Sequence, residues 1–197
     1  RVLPHYRFDL SKVIVSFGAD FLGTWISPVE FTAGWRTRRT PTAESPEMSW
    51  HAQLEGRMSL SGTKADRRIR VSPDQYGAVL SRLYIDLAAK SGKSVSSSTV
   101  IASILTDEQH HELVERLWNA RGASVVVSDS NDVRVQTLVN GVNDLLKNYG
   151  QTLDIQRPSR QRQGNDAAVL ELLEELKTGQ VAALFVCGTD LTHNLPD

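Results

Sequence analysis

Twice in this 197-residue chain an apolar run ends in Gly-x-Asp. The first copy reads Val13-Ile14-Val15-Ser16-Phe17-Gly18-Ala19-Asp20, and the second Ala183-Leu184-Phe185-Val186-Cys187-Gly188-Thr189-Asp190. Mostly apolar residues without alternation mark a strand covered on both faces, the situation inside a parallel sheet. The glycine lets the backbone turn sharply and approach a ligand. Ligands of open α/β sheets bind outside the carboxyl ends of the strands. The repeat predicts two related halves, each with a nucleotide-binding corner. Two ordinary strand-to-loop turns are the plainer alternative.

The remaining elements alternate. Ser27-Pro28-Val29-Glu30 has the form of a capping box with Pro at the first helical position, so a helix should begin there and fade before an exposed Thr37–Pro46 loop. Strands are expected at Trp50–Glu55 and Arg68–Val71. Ser72-Pro73-Asp74-Gln75 should open a helix with Tyr76, Val79, Leu80, Leu83, Tyr84 and Leu87 on its inner face. Thr106 caps a helix with Leu113, Val114, Leu117 and Trp118 inward, and a buried strand follows at Ser124–Ser128. Two further helices present Val135, Leu138, Val139, Val142, Leu145 and Leu146, then Val169, Leu172, Leu173 and Leu176. Asn165 caps the last one and Gly179 follows its end. Strands alternating with helices give βαβ units. The fold class is therefore α/β: a three-layer, Rossmann-like, mostly parallel sheet with helices on both faces. The expected division is a first half at 1–92 and a second at 93–197, with a seam near 91–103 around Gly92 and Ser96-Ser97-Ser98; one compact domain is the alternative.

Composition removes several function classes. The net charge of −1 gives no global pull toward nucleic acid. No stretch of about 18 apolar residues is present, so no membrane span is expected, and no signal peptide opens the chain. The single cysteine, Cys187, cannot form an intrachain disulfide or a Cys-rich zinc or iron–sulfur site, and reads as a small core hydrophobe. No cofactor or metal is expected in this segment. Beginning at Arg1 and stopping soon after a strand, the chain is expected to be a piece of a longer protein.

A further set of residues carries a resemblance. Leu54-Glu55-Gly56-Arg57 is followed by Ala65-Asp66 and by Ile69-Arg70-Val71-Ser72-Pro73-Asp74. Upstream lies Gly18-Ala19-Asp20; downstream come Asn143-Asp144-Leu145-Leu146, Tyr149-Gly150, Gly179-Gln180-Val181, Gly188-Thr189-Asp190 and Leu195-Pro196-Asp197. In this order they resemble the molybdopterin oxidoreductase superfamily of the dimethyl sulfoxide reductase type. Its members show Gly-x-Asn-Pro, Asp-Pro-Arg, Ala-Asp, Arg-Pro-Gly-Thr-Asp and a second Gly-x-Asn-Pro. Asp20 to Phe31 and Met58 to Arg68 are similar to a divergent branch that includes the large iron–sulfur subunit of bacterial alternative complex III, a quinol-oxidising membrane assembly.

The resemblance implies that Gly18, Asp20, Glu55, Arg57, Gly188 and Asp190 stand where the superfamily contacts the guanosine ends of two pterin dinucleotides. The departures weaken that role. Both Asn positions are acids, Asp20 and Asp190, which repel a pyrophosphate and lack the amide donor. Phe21 and Leu191 replace the prolines, and Gly56 replaces the proline of Asp-Pro-Arg. A retained scaffold with a vestigial corner is the preferred expectation, and intact dinucleotide binding is the alternative. By resemblance, the parent chain would carry iron–sulfur clusters but no molybdopterin guanine dinucleotide. It would assemble with its own other domains and with subunits of a membrane complex, on the periplasmic face in bacteria.

Other groups read as surface or packing. His110-His111-Glu112 has no second His at i+4 and reads as a solvated helix face, and His193 as an exposed loop residue. The arginine groups Arg36/Arg38/Arg39 and Arg67/Arg68/Arg70 read as solvated, with the loop group Arg157/Arg160/Arg162 a candidate docking patch. Trp25, Trp35 and Trp50 read as seals of a core or subunit contact. No nucleophile–base set or acid–base pair is assignable, so no catalytic residue is expected.

Overall fold

The computed structural model describes residues 3–44, 46–93, 104–159 and 165–190. They form two compact units, 1–159 and 160–197. The division thus falls after Ser159. Most of the 91–103 seam and the serine run lie outside the described residues, as do Arg160, Arg162, Leu191, His193 and the closing Leu195-Pro196-Asp197.

The first unit is a mixed α/β body around four parallel strands: β2 (Val13–Phe17), β3 (Trp50–Glu55), β4 (Arg67–Arg70) and β5 (Ser124–Ser128), in the order β4-β3-β2-β5. Strand β2 takes its place at the centre because every residue of it is buried, with Val13, Val15 and Phe17 on one face and Ile14 on the other. On the first face lie α3 (Tyr76–Lys90), α4 (Asp107–Asn119) and α5 (Val133–Leu145), whose apolar stripes meet Ala52, Leu54 and Val126. On the second face Phe31 of α1 (Pro28–Thr37) joins Phe8, Phe21, Val125 and Val127. Helices on both faces make the three layers of a Rossmann-like architecture.

Several local signals act as their residue types dictate. Thr106 and Gln109 make both halves of a capping box at the start of α4. Pro28 occupies the first turn of α1, but Ser27 makes no side-chain cap, and Glu30 instead meets His5 at 2.7 Å. Pro73–Gln75 forms one 3-10 turn before α3, and the edge strand begins at Arg67, one residue earlier than its pattern predicts.

Three elements have no counterpart in the periodicity. Strands β1 (Leu3–Tyr6) and β6 (Leu153–Ser159) pair antiparallel, and α2 (Leu60–Lys64) is a single short helix. The second unit contains α6 (Asp166–Lys177), capped by Asn165 with Gly179 at φ 71° beyond its end. Ala183–Val186, expected as a buried parallel strand, is neither paired nor buried: Phe185 is 89% exposed, and Cys187 is exposed rather than a core residue. Val169 and Leu170 of α6 are exposed as well.

Candidate functional site

The chain runs from β2 outward through β3 to β4, then crosses to β5 on the other side of β2. Order reverses between β2 and β5, so the crevice outside their carboxyl ends is where such a sheet receives ligands. Gly18 ends β2 there at φ 73°, a left-handed conformation that favours glycine. A Cβ at Gly18 would lie 2.3 Å from Asp129 Oδ1 and 2.7 Å from the Tyr76 hydroxyl. The carboxyl end of β2 thus gathers Gly18 with Asp129, which has no place among the expected residues, and with Tyr76, expected only as a core residue of α3. Asp129 was signalled by Val125-Val126-Val127-Ser128-Asp129, the same strand-then-acid pattern without its glycine.

This end of the sheet is acidic and partly buried. Burial raises the Asp129 carboxyl above the usual carboxylate range. Tyr76 is only 2% exposed, and burial, followed by the nearby Asp129 and Glu55 charges, pushes its phenol up to about 12. In the loop after Asp20, Ile26 sits at φ 55°, a strained conformation for a β-branched residue.

Asp20 and Glu55 are committed to the protein. Asp20 Oδ1 accepts from the Ser61 amide and hydroxyl, both at 2.9 Å. Glu55, at the end of β3, accepts from the Ser59 hydroxyl (2.6 Å), the Ser59 amide (3.1 Å), Arg68 Nε (2.6 Å) and Gln53 Nε2 (3.3 Å). Burial opposes the Glu55 charge, but the Ser59 and Arg68 donors together hold its carboxyl below the usual range. Two glycines leave room for these carboxylates: a Cβ at Gly62 would fall 2.0 Å from Glu55 Oε1, and one at Gly23 would fall 2.1 Å from Asp20 Oδ2.

Of the six sequence-predicted positions, Gly18, Asp20 and Glu55 meet at the carboxyl edge of the sheet, and Arg57 is exposed just past the end of β3. Gly188 and Asp190 do not join a strand end. Gly188 has the expected turn conformation, φ 69°, but the residues before it form no strand, and both positions are exposed.

Other expectations are also corrected. His110 is buried and meets Asp86 at 2.7 Å rather than lying on a solvated face, while His111 is exposed. Arg39 is half-buried and pairs with Asp66, while Arg68 is exposed as expected but also pairs with Glu55. The tryptophans seal the core as expected: Trp25 and Trp35 pack against it on the α1 side, and Trp50 packs on the other side beneath Arg116.

A dinucleotide pyrophosphate fits this corner poorly. Ser59, Ser61 and Arg68 already serve carboxylates, and Asp129 adds a further acid beside the Gly18 turn. Among the described residues no group of three or more His, Cys, Asp or Glu could hold a metal ion, and no helix is long and apolar enough to cross a membrane. No family model matches the chain, and no curated protein matches it.

Proposed function

We propose that the chain is a non-catalytic scaffold segment of a molybdopterin-oxidoreductase-like, iron–sulfur electron-transfer subunit, in which dinucleotide binding has been lost. The motif resemblance supports the family. One observation supports the loss: Asp20 and Glu55, at positions that would meet a nucleotide, are bonded to Ser61, Ser59 and Arg68 of the chain itself. On this proposal the clusters lie elsewhere in the parent chain. The segment serves assembly with the other domains of that chain and with subunits of a quinol-oxidising complex, at the periplasmic face of a bacterial membrane.

Calorimetric titration with guanosine diphosphate tests the proposal. The expected result is no binding at micromolar nucleotide, with any weak millimolar binding strengthened by Asp20→Asn or Asp129→Asn, which remove repulsion of the phosphates. Micromolar binding abolished by Arg57→Ala would overturn it. The chain would then be the guanosine-end region of a working molybdopterin dinucleotide oxidoreductase.

A further inference from the structure

Strand β3 carries an unusual face. Its inward positions toward α3, α4 and α5 are apolar, Ala52 and Leu54, but the opposite face presents His51, Gln53 and Glu55, continued by Ser49 just before the strand. Side chains two residues apart share a face, so these four form one polar spine, and all four are buried.

The spine is internally bonded at its carboxyl end. Gln53 Nε2 donates to Glu55 Oε2 at 3.3 Å and to Ala19 O at 3.4 Å. Neither can donate in return, so the Gln53 amide oxygen is the group facing His51 Nε2, 3.1 Å away. That oxygen only accepts, so the His51 proton sits on Nε2 and its Nδ1 is a bare acceptor.

At the other end the pattern breaks. His51 Nδ1, Ser49 Oγ and Trp35 Nε1 are all buried and have no partner in the protein. They belong to neighbouring side chains: Trp35 meets the His51 ring edge-on with centroids 6.5 Å apart, and Ser49 shares the His51 face of the strand. Arg39 links the same group, lying over the Trp35 ring and donating to Ser49 O. Buried polar groups left unpaired cost roughly 1–3 kcal/mol each, so three on neighbouring residues demand an explanation.

Their chemistry is complementary to a single small molecule. Trp35 Nε1 can only donate, His51 Nδ1 can only accept, and Ser49 can do either. A water accepts from the first, donates to the second and completes a third bond with the hydroxyl, the usual three bonds of an internal water. We propose that Trp35, Ser49 and His51 form a binding site for one long-lived internal water that completes the polar spine leading to Glu55. The site lies at the amino end of β3, away from the crevice, and does not depend on what the crevice binds.

Water–protein cross-relaxation in the NMR spectrum of the whole chain is the test. The Trp35 indole proton should show a direct cross-peak to a long-lived water, and long-range nitrogen spectra should show the His51 proton on Nε2. A hydroxyl exchanging with solvent could mimic the peak, so the measurement is repeated on Ser49→Ala. Persistence of the peak there supports the site, because two anchors remain. Absence of the peak in the parent chain, its loss in folded Ser49→Ala, or a His51 proton on Nδ1 would each overturn it.

Discussion

His51 and Glu55 sit two residues apart on β3 and make stability depend on pH in the same direction. Burial lowers the His51 pKa from 6.5 to about 4, so between those values the unfolded chain binds a proton that the folded chain refuses. Stability should therefore fall as pH drops through that window, by up to about 3 kcal/mol for this one group. The depressed Glu55 carboxyl contributes stability that is full above its unfolded value of 4.5 and lost as pH falls through its lower folded value. Urea unfolding at pH 7 and pH 5 should show the first loss in the parent chain and a reduced one in His51→Gln; equal losses in both would place the effect elsewhere. Gly62→Ala should cost about 1–3 kcal/mol, because the new methyl overpacks a carboxylate fixed by four donors. An unchanged urea midpoint would mean that Glu55 can move. Asp20, Glu55 and Gly18 were legible in the sequence because each ends a recognisable strand. Their donors were not, since Ser59 caps and Ser61 lies in a five-residue helix too short to show periodicity.

At the scale of elements, the outer edge of β5 shows how the sheet is finished. Its residues are all buried although it pairs only with β2. The Asn143 side chain takes a strand's place: Val126 N–H donates to its Oδ1 at 3.1 Å, and its Nδ2 donates to Val126 O at 2.8 Å. Asn148 braces that amide at 2.8 Å, and Thr152 donates to Ser124 O. This closes a backbone edge that would otherwise template pairing with another chain. Asn143→Ala should cost about 2–4 kcal/mol, from the lost bonds and the unpaired Val126 groups. It should also strip hydrogen-exchange protection from the Val126 amide first; protection equal to the parent would refute the closure. The sheet strands β2, β3 and β5 were legible because unbroken apolar or half-buried runs leave few alternatives. The β1–β6 pair was not, because Leu3–Tyr6 is short, Leu153–Ser159 alternates only as far as Gln156, each contains a proline, and their pairing is fixed by partners far apart in sequence. Ala183–Val186 shows the converse failure: an apolar run states a need for neighbours without supplying them.

For the whole molecule, burial is concentrated in one unit. Among the described residues, every buried apolar side chain falls between Phe8 and Leu153, and all four tryptophans lie in residues 1–159. Beyond Ser159 the described apolar residues Val169, Leu170, Leu184, Phe185 and Val186 are exposed. Exposed apolar side chains of this size add nothing to a core; on the proposed function they would be covered by other domains or subunits of the assembly. Two consequences can be measured on a truncated chain ending at Ser159. Its urea unfolding should remain a single transition, with tryptophan fluorescence and far-ultraviolet dichroism coincident, and should retain the parent's free energy to within about 1 kcal/mol, because every buried apolar side chain among the described residues is retained. Binding of a hydrophobic dye should drop, because the exposed apolar residues of the second unit are gone. A truncated chain that fails to fold, or that loses more than about 3 kcal/mol, would show that residues 160–197 complete the first unit's core.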